Sequence, residues 1–187
     1  MARDMESRPR RVVVLGTTGA GKSTLSGRLA ELLGVEHVEL DAFQHGPNWT
    51  PRPREEFAAR VAAVAELPGW VVDGNYASRV GDVLWPLADL VVWLDLPLWV
   101  LLPRLVRRTT RRIRSRTMLW GVNQERWSGL FGRESLLLWA VQSHPRQRAE
   151  LPPRLADLRR RGVGVVRLTS GRAVDRWFAD FARSAAG

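Results

Sequence analysis

Apolar residues in this chain come in short runs whose spacing switches repeatedly between two periods. Arg11-Val12-Val13-Val14-Leu15 is a β-branched run and predicts a buried strand. Leu25, Leu29, Leu32 and Leu33 then recur at helical spacing over Thr24–Leu33, and Gly34 supplies a stop. His37-Val38-Glu39-Leu40 predicts a second strand ending at Asp41. The stretch from Ala42 to Arg54 is rich in turn residues and aromatics and reads as a loop. Phe57, Val61, Val64 and Ala65 mark a helix over Glu55–Leu67, closed by Pro68-Gly69. Trp70-Val71-Val72 predicts a third strand ending at Asp73, with a short helical segment up to Trp85. Leu90–Leu94 predicts a fourth, with Asp95 at its end reading as a helix N-cap.

Pro97 suits the first turn of the next helix, whereas Pro103 removes a hydrogen bond inside it and predicts a kink. Arg104 to Arg116 holds seven arginines and no acid. Met118–Arg133 is glycine-dotted and predicts irregular structure. Leu136–Val141 forms a helix core expected to break before Pro145, with a further helical piece from about Pro153 to Arg161. Gly164–Leu168 is the fifth strand, and Val174, Trp177, Phe178 and Phe181 line a last amphipathic helix. Strands alternating with helices imply an α/β fold with a parallel sheet covered on both faces. Without repeats or linkers, residues 1–187 read as one domain with a mobile insert at about 107–133.

The first strand and helix are joined by Gly16-Thr17-Thr18-Gly19-Ala20-Gly21-Lys22-Ser23, followed by Thr24, which fits the phosphate-binding pattern G-x-x-x-x-G-K-[ST]. Glycines let successive backbone N–H groups converge on phosphate oxygens, and the helix N-terminus adds its dipole. Residues Gly16 to Thr24 are therefore the candidate ATP cradle, with Lys22 reaching the β/γ oxygens and Ser23 on Mg²⁺. Lys22 is also the only lysine in the chain; the other 28 basic residues are arginine. A compact ammonium is not interchangeable with a guanidinium at a cradled phosphate.

Composition adds limits. There are no cysteines, which excludes disulfides and thiolate metal sites, and His37, His45 and His144 make no metal-ligand spacing. The net charge of +10 favours anionic partners, nucleotides or nucleic acid. The N-terminal ten residues lack an apolar core, so no secretory signal is expected. Val83–Leu102 is long enough to span a bilayer, but Pro86, Asp89, Asp95 and Pro97 argue for a strand and a helix instead. The expectation is a cytoplasmic soluble protein.

Ligands of an open parallel sheet bind beyond the carboxyl ends of its strands, where Asp41, Asp73 and Asp95 stand. Asp73, after an apolar strand, is the candidate for the Mg²⁺ side together with Ser23; Asp41 is the candidate for the acceptor side. Arg104, Arg108, Arg111 and Arg112 fall roughly on one helical face and could converge on one ligand. Arg108 and Arg112 are taken as stabilisers of the transferring phosphoryl group, and Arg79 as a contact to the acceptor. Arg146 and Arg148 could be further phosphate contacts.

Taken with Glu39-Leu40-Asp41, Pro47-Asn48-Trp49, Arg54-Glu55-Glu56-Phe57, Asp73-Gly74-Asn75-Tyr76 and Trp93-Leu94-Asp95-Leu96-Pro97, the cradle resembles the nucleoside-monophosphate-kinase-like P-loop proteins. Adenylate kinase is their best-known member. The small bacterial branch often labelled topology modulation protein is the most similar. The resemblance spans Arg10 to Phe181. It implies five parallel core strands in order 2-3-1-4-5 within three α/β/α layers, and an arginine-bearing lid around Arg107–Arg126. It also implies an adenine pocket at Thr169–Val174. The family pattern has glycine where Asn48 stands.

Two functions follow. One is an ATP- and Mg²⁺-dependent phosphotransferase acting on a small-molecule hydroxyl or phosphate. Arg54, Arg60 and Arg79 would suit an anionic acceptor, and Asp41 as a base would suit a neutral one. The alternative is a nucleotide-binding regulatory or nucleic-acid-associated protein, supported by the charge and the arginine run.

Overall fold

The computed structural model describes residues 8–74, 83–130 and 135–186. Strands β1 (Arg11–Gly16), β2 (Glu36–Glu39), β3 (Trp70–Asp73), β4 (Leu90–Leu94) and β7 (Gly164–Leu168) form one parallel sheet in the order β2-β3-β1-β4-β7. This is the expected order, with two extra short strands counted between the fourth and fifth core strands. The helices are α1 (Lys22–Leu33), α2 (Leu40–Gln44), α3 (Arg54–Ala65), α4 (Leu98–Arg114), α5 (Leu136–Arg160) and α6 (Gly171–Ala186).

Period-two alternation builds the layers. Val13 and Leu15 of β1 face one side, with Phe57 and Val61 of α3 and Leu151, Leu155 and Leu158 of α5. Val12 and Val14 face the other, with Leu25 and Leu29 of α1, Leu101 of α4, and Trp177, Phe178 and Phe181 of α6. Register sets the working edge: Val14 pairs with Asp73 and with Val92, and Gly16 with Leu94. The strands' carboxyl ends thus open beside the 16–24 loop.

Three local expectations are corrected. The helix predicted to break before Pro145 is continuous over Leu136–Arg160 with three internal prolines. Its buried Ala140, Ser143, His144, Leu151, Leu155 and Leu158 anchor it on both sides of the break point. Tertiary packing therefore outweighs the lost hydrogen bonds. Within Met118–Arg133, Met118–Leu119 (β5) and Asn123–Gln124 (β6) pair as an antiparallel hairpin. Two-residue strands are too short to show a period. Asp95 caps nothing: the N-cap of α4 is Pro97.

Pro103 also sits within a continuous helix, and the carbonyl it leaves without a helical partner belongs to Trp99, which is 60% exposed. Val83–Leu102 resolves into a 3₁₀ turn, β4 and the start of α4, and no described helix is long and apolar enough to cross a membrane.

Candidate active site

The loop between β1 and α1 needs its glycines. Gly19 and Gly21 have φ of 84° and 94°, conformations that disfavour any side chain. A Cβ on Gly16 would lie 2.7 Å from the Leu94 carbonyl oxygen, so β4 seals the start of the loop. Ala20 N–H donates to Thr17 C=O at 3.0 Å and closes the turn. Gly21 is the N-cap of α1 and offers no side-chain cap, so the helix N-terminus presents bare N–H donors. The Ser23 hydroxyl, exposed in the first turn, bonds nothing among the described residues.

Lys22 starts α1 and folds back, its Nζ 3.5 Å from the Thr17 carbonyl oxygen. It has no ion pair among the described residues. Burial pushes its pKa down, opposed by the charges of Asp41 and Asp73, with Arg108 pushing the same way as burial. Three of the expected residues, Asp41, Asp73 and Arg108, are therefore close enough to act on a fourth, Lys22. Asp41 is not in a strand-end loop; it occupies the first turn of the five-residue α2. Arg79, with Asn75 and Tyr76 of the quoted motif, lies outside the described residues.

Asp73 is buried at the end of β3, and its Oδ2 lies 2.9 Å from His37 Nε2. That hydrogen bond raises the His37 pKa, against the opposing pull of burial. In the sequence His37 showed only the lack of a metal-ligand spacing; β2 and β3 pair in parallel with His37 opposite Val71 and Glu39 opposite Asp73, so His37 stands two positions before the acid's own partner, on the same face, and reaches it.

The arginine run does not converge on one ligand. Arg112 donates to Glu125 Oε1 at 3.0 Å, and Arg108 lies 3.8 Å from the same oxygen. Burial and Arg112 push the Arg108 pKa down, opposed by Glu125 and Asp41. Arg107, Arg111 and Arg114 line a separate outer groove with Leu102, Val106 and Leu138. Arg104 reaches the loop after β7, where a Cβ on Gly171 would sit 3.0 Å from its Nη2. A helix turns 100° per residue, so a thirteen-residue run necessarily faces several partners. Arg148 bonds Asp95 at 2.8 Å, and Arg167 binds that same buried carboxylate, so Arg148 is taken up structurally.

Several contributors carried no signal on their own element. Trp120 Nε1 donates to Glu39 Oε2 at 3.2 Å, bringing the β5–β6 hairpin onto the end of β2. Asn123 Oδ1 accepts from Trp49 N–H at 2.8 Å while its Nδ2 donates to Gly46 C=O at 2.9 Å. His45, Trp49 and Trp120 pack with ring centroids 5.6–6.3 Å apart. Gln147 of α5 accepts from the Thr17 hydroxyl at 3.2 Å and ties α5 to the glycine loop. Glu125 did have a legible mark: it is the only carboxylate between Asp95 and Glu134.

No family model matches the chain, and no curated protein matches it. Solved structures do. A shikimate kinase from Acinetobacter baumannii in complex with shikimate aligns with TM-score 0.58 and 17% identity, over 97% of this chain and 95% of the other. A gluconokinase from Sinorhizobium meliloti 1021 aligns with TM-score 0.50 and 20% identity, over 95% and 92%. A shikimate kinase from Bacteroides thetaiotaomicron gives 0.50 and 18%, over 96% of each. At such identities the likeness is one of architecture: the chain has the three-layer α/β fold of P-loop kinases, with its sheet in the order β2-β3-β1-β4-β7.

Proposed function

We propose that this protein is an ATP-dependent small-molecule kinase. The observation that carries the reading is the partly buried Lys22 ammonium, without an ion pair among the described residues, at an uncapped helix N-terminus. A partly buried cation beside unpaired N–H donors is stabilised by an anion of the size and charge of a nucleotide's phosphates. Regulatory nucleotide binding would need only the cradle. Transfer also needs charge for the moving phosphoryl group and an acid at the acceptor, which Arg108, Arg112 and Asp41 supply.

In this mechanism the 16–24 loop wraps the β- and γ-phosphates with backbone N–H groups. Lys22, Arg108 and Arg112 neutralise the equatorial oxygens of the transferring group. Asp41 orients the acceptor hydroxyl and receives its proton as the oxygen attacks phosphorus and the bond to the leaving ADP oxygen breaks. The site's hard oxygens, the unbonded Ser23 hydroxyl and the Asp73 carboxylate, fit Mg²⁺, which when bound neutralises phosphate charge. His37 holds one Asp73 oxygen and so fixes how the carboxylate is turned. The β5–β6 hairpin is the lid, within the insert at about 107–133, and Thr169–Val174 borders the adenine.

The test is ADP release from ATP·Mg²⁺ with an acceptor panel, using Lys22→Ala as blank. Acceptor-dependent release that falls at least about 10²–10³-fold in Lys22→Ala is expected. Turnover retained by that variant refutes the site. Saturable ATP binding with no turnover on any acceptor leaves only the nucleotide-binding role.

A further inference from the structure

We infer that the acceptor is a neutral or cationic polyhydroxylated ring held under the β5–β6 hairpin, against Trp49. Glu125 and Thr109 would be its polar partners. The inference rests on the kinase reading above and names the substrate class of that site.

A cavity of about 520 Å³ lies there, within the size range of small-molecule sites. Trp49 and Asn48 form one wall, the hairpin from Asn123 to Arg126 the roof, and Thr109 of α4 contributes to the lining. It adjoins the proposed reacting centre: its lining residue Glu125 lies 3.8 Å from Arg108, and Trp120 of the same hairpin donates to Glu39, two residues before Asp41, at 3.2 Å.

Two lining residues carry buried polar atoms without partners. Glu125 spends Oε1 on Arg112 and Arg108, while its Oε2 bonds nothing among the described residues, although the side chain is only 5% exposed. Thr109 is 1% exposed and its hydroxyl is likewise unbonded. Burying such groups unpaired is unfavourable, and each has a chemical complement. A carboxylate oxygen accepts only, so it asks for hydroxyl or ammonium donors; the threonine hydroxyl can donate or accept. An exposed indole face beside them suits the C–H face of a sugar or cyclitol ring.

Among the described residues the lining offers an anion no buried cation: its charged members are the buried Glu125 and Arg126, exposed at the rim, whereas Arg112 and Arg108 lie outside the lining and are already held on Glu125 Oε1. The segment 36–60, which supplies the Trp49 wall, has five carboxylates and three arginines, net −2 in a chain of +10. Two of those arginines, Arg52 and Arg60, already bond Glu56 at 2.8 and 3.0 Å. Of the three arginines expected to suit an anionic acceptor, Arg60 is thus held by Glu56.

The experiment uses one pyranose ring in three charge states. D-glucosamine (protonated), D-glucose and D-glucuronate are titrated into the full chain, with intrinsic tryptophan fluorescence as the readout. Glucosamine and glucose are expected to give saturable changes, glucosamine the tighter of the two, with glucuronate at least about tenfold weaker than glucose. Thr109→Val removes one hydroxyl at constant shape. It is expected to weaken the two sugars about tenfold without lowering the melting temperature of the free protein. Glu125→Gln is expected to abolish the advantage of glucosamine. Glucuronate binding as tightly as glucose, an affinity unmoved by Thr109→Val, or no saturable change with any probe overturns the inference. ADP release with anionic acceptors alone overturns it while leaving the kinase intact; no release with any acceptor removes the kinase reading, and this one with it.

Discussion

The hairpin and the 46–50 turn are joined by one side chain, and deleting it measures how firmly the acceptor side is closed. Asn123 is 1% exposed and makes two hydrogen bonds to backbone, accepting from Trp49 N–H and donating to Gly46 C=O. Asn48 and Trp49 both have positive φ, 55° and 61°, so the turn is itself costly and needs an external hold. Asparagine tolerates that region better than most residues, which explains how it can stand at 48. Asn123→Ala leaves a buried carbonyl at Gly46 and a half-exposed N–H at Trp49 without partners. A buried unpaired group costs about 1–3 kcal/mol, and water can reach the second, so the closed state loses about 2 kcal/mol. Because the hairpin can swing away, the loss should appear as local opening rather than global unfolding. Hydrogen exchange read by mass spectrometry over residues 45–50 and 118–124 should accelerate about 30-fold, with the sheet unchanged. Unchanged exchange in those peptides, or acceleration spread equally over β1, β3 and β4, would refute the clasp.

Gly16→Ala drives a Cβ into the Leu94 carbonyl at 2.7 Å with φ at 148°, and should cost about 2–4 kcal/mol, read as a fall in melting temperature on the order of 10 °C. Asp95→Ala strips the shared partner of Arg148 and Arg167; since both guanidiniums are about half exposed, the loss should be about 2 kcal/mol, below that of a fully buried pair, by urea denaturation. The His37–Asp73 bond makes the stability of the metal-free protein depend on pH. A folded-state pKa raised above 6.5 gives an increment that is full below about 6.5 and lost as pH rises through the raised value. The stability gap between wild type and His37→Gln should shrink across that window, and a gap that widens with pH would contradict the pairing.

The core of the fold was legible because its signal is local. Val12 to Leu15 needs only β-branching and alternation to declare a strand, and Leu25, Leu29 and Leu33 only helical spacing. The glycine loop was legible for the same reason, as its geometry depends on residues within one turn. Failures occurred where distant contacts decide. Pro145 breaks a helix by local rules, yet His144 is buried with its Nε2 3.0 Å from the Leu96 carbonyl oxygen, and this packing spans the break. Trp120, Asn123 and Gln124 act on partners 74–81 residues away, a separation that no periodicity encodes. The position of Asp41 just after β2 was legible, but its helical setting was not, since Leu40–Gln44 is barely one turn long.

The arginines show why net charge alone misleads. Glu56 holds Arg52 and Arg60, Glu125 holds Arg108 and Arg112, and Asp95 holds Arg148 and Arg167, so each carboxylate serves two guanidiniums and leaves one positive charge unbalanced. Among these trios, the one around Glu125 is linked electrostatically to Lys22, through Arg108. Arg107, by contrast, lines the separate outer groove. Adjacent residues therefore give a stringent comparison. Arg108→Gln should lower kcat by about 10²–10³-fold, as loss of a transition-state charge does. Arg107→Gln, one residue away on another face of α4, should leave kcat and the KM for ATP unchanged. Equal losses in both variants would mean that the helix contributes its charge as a diffuse field, and the assignment of Arg108 to the transferring phosphoryl group would fall.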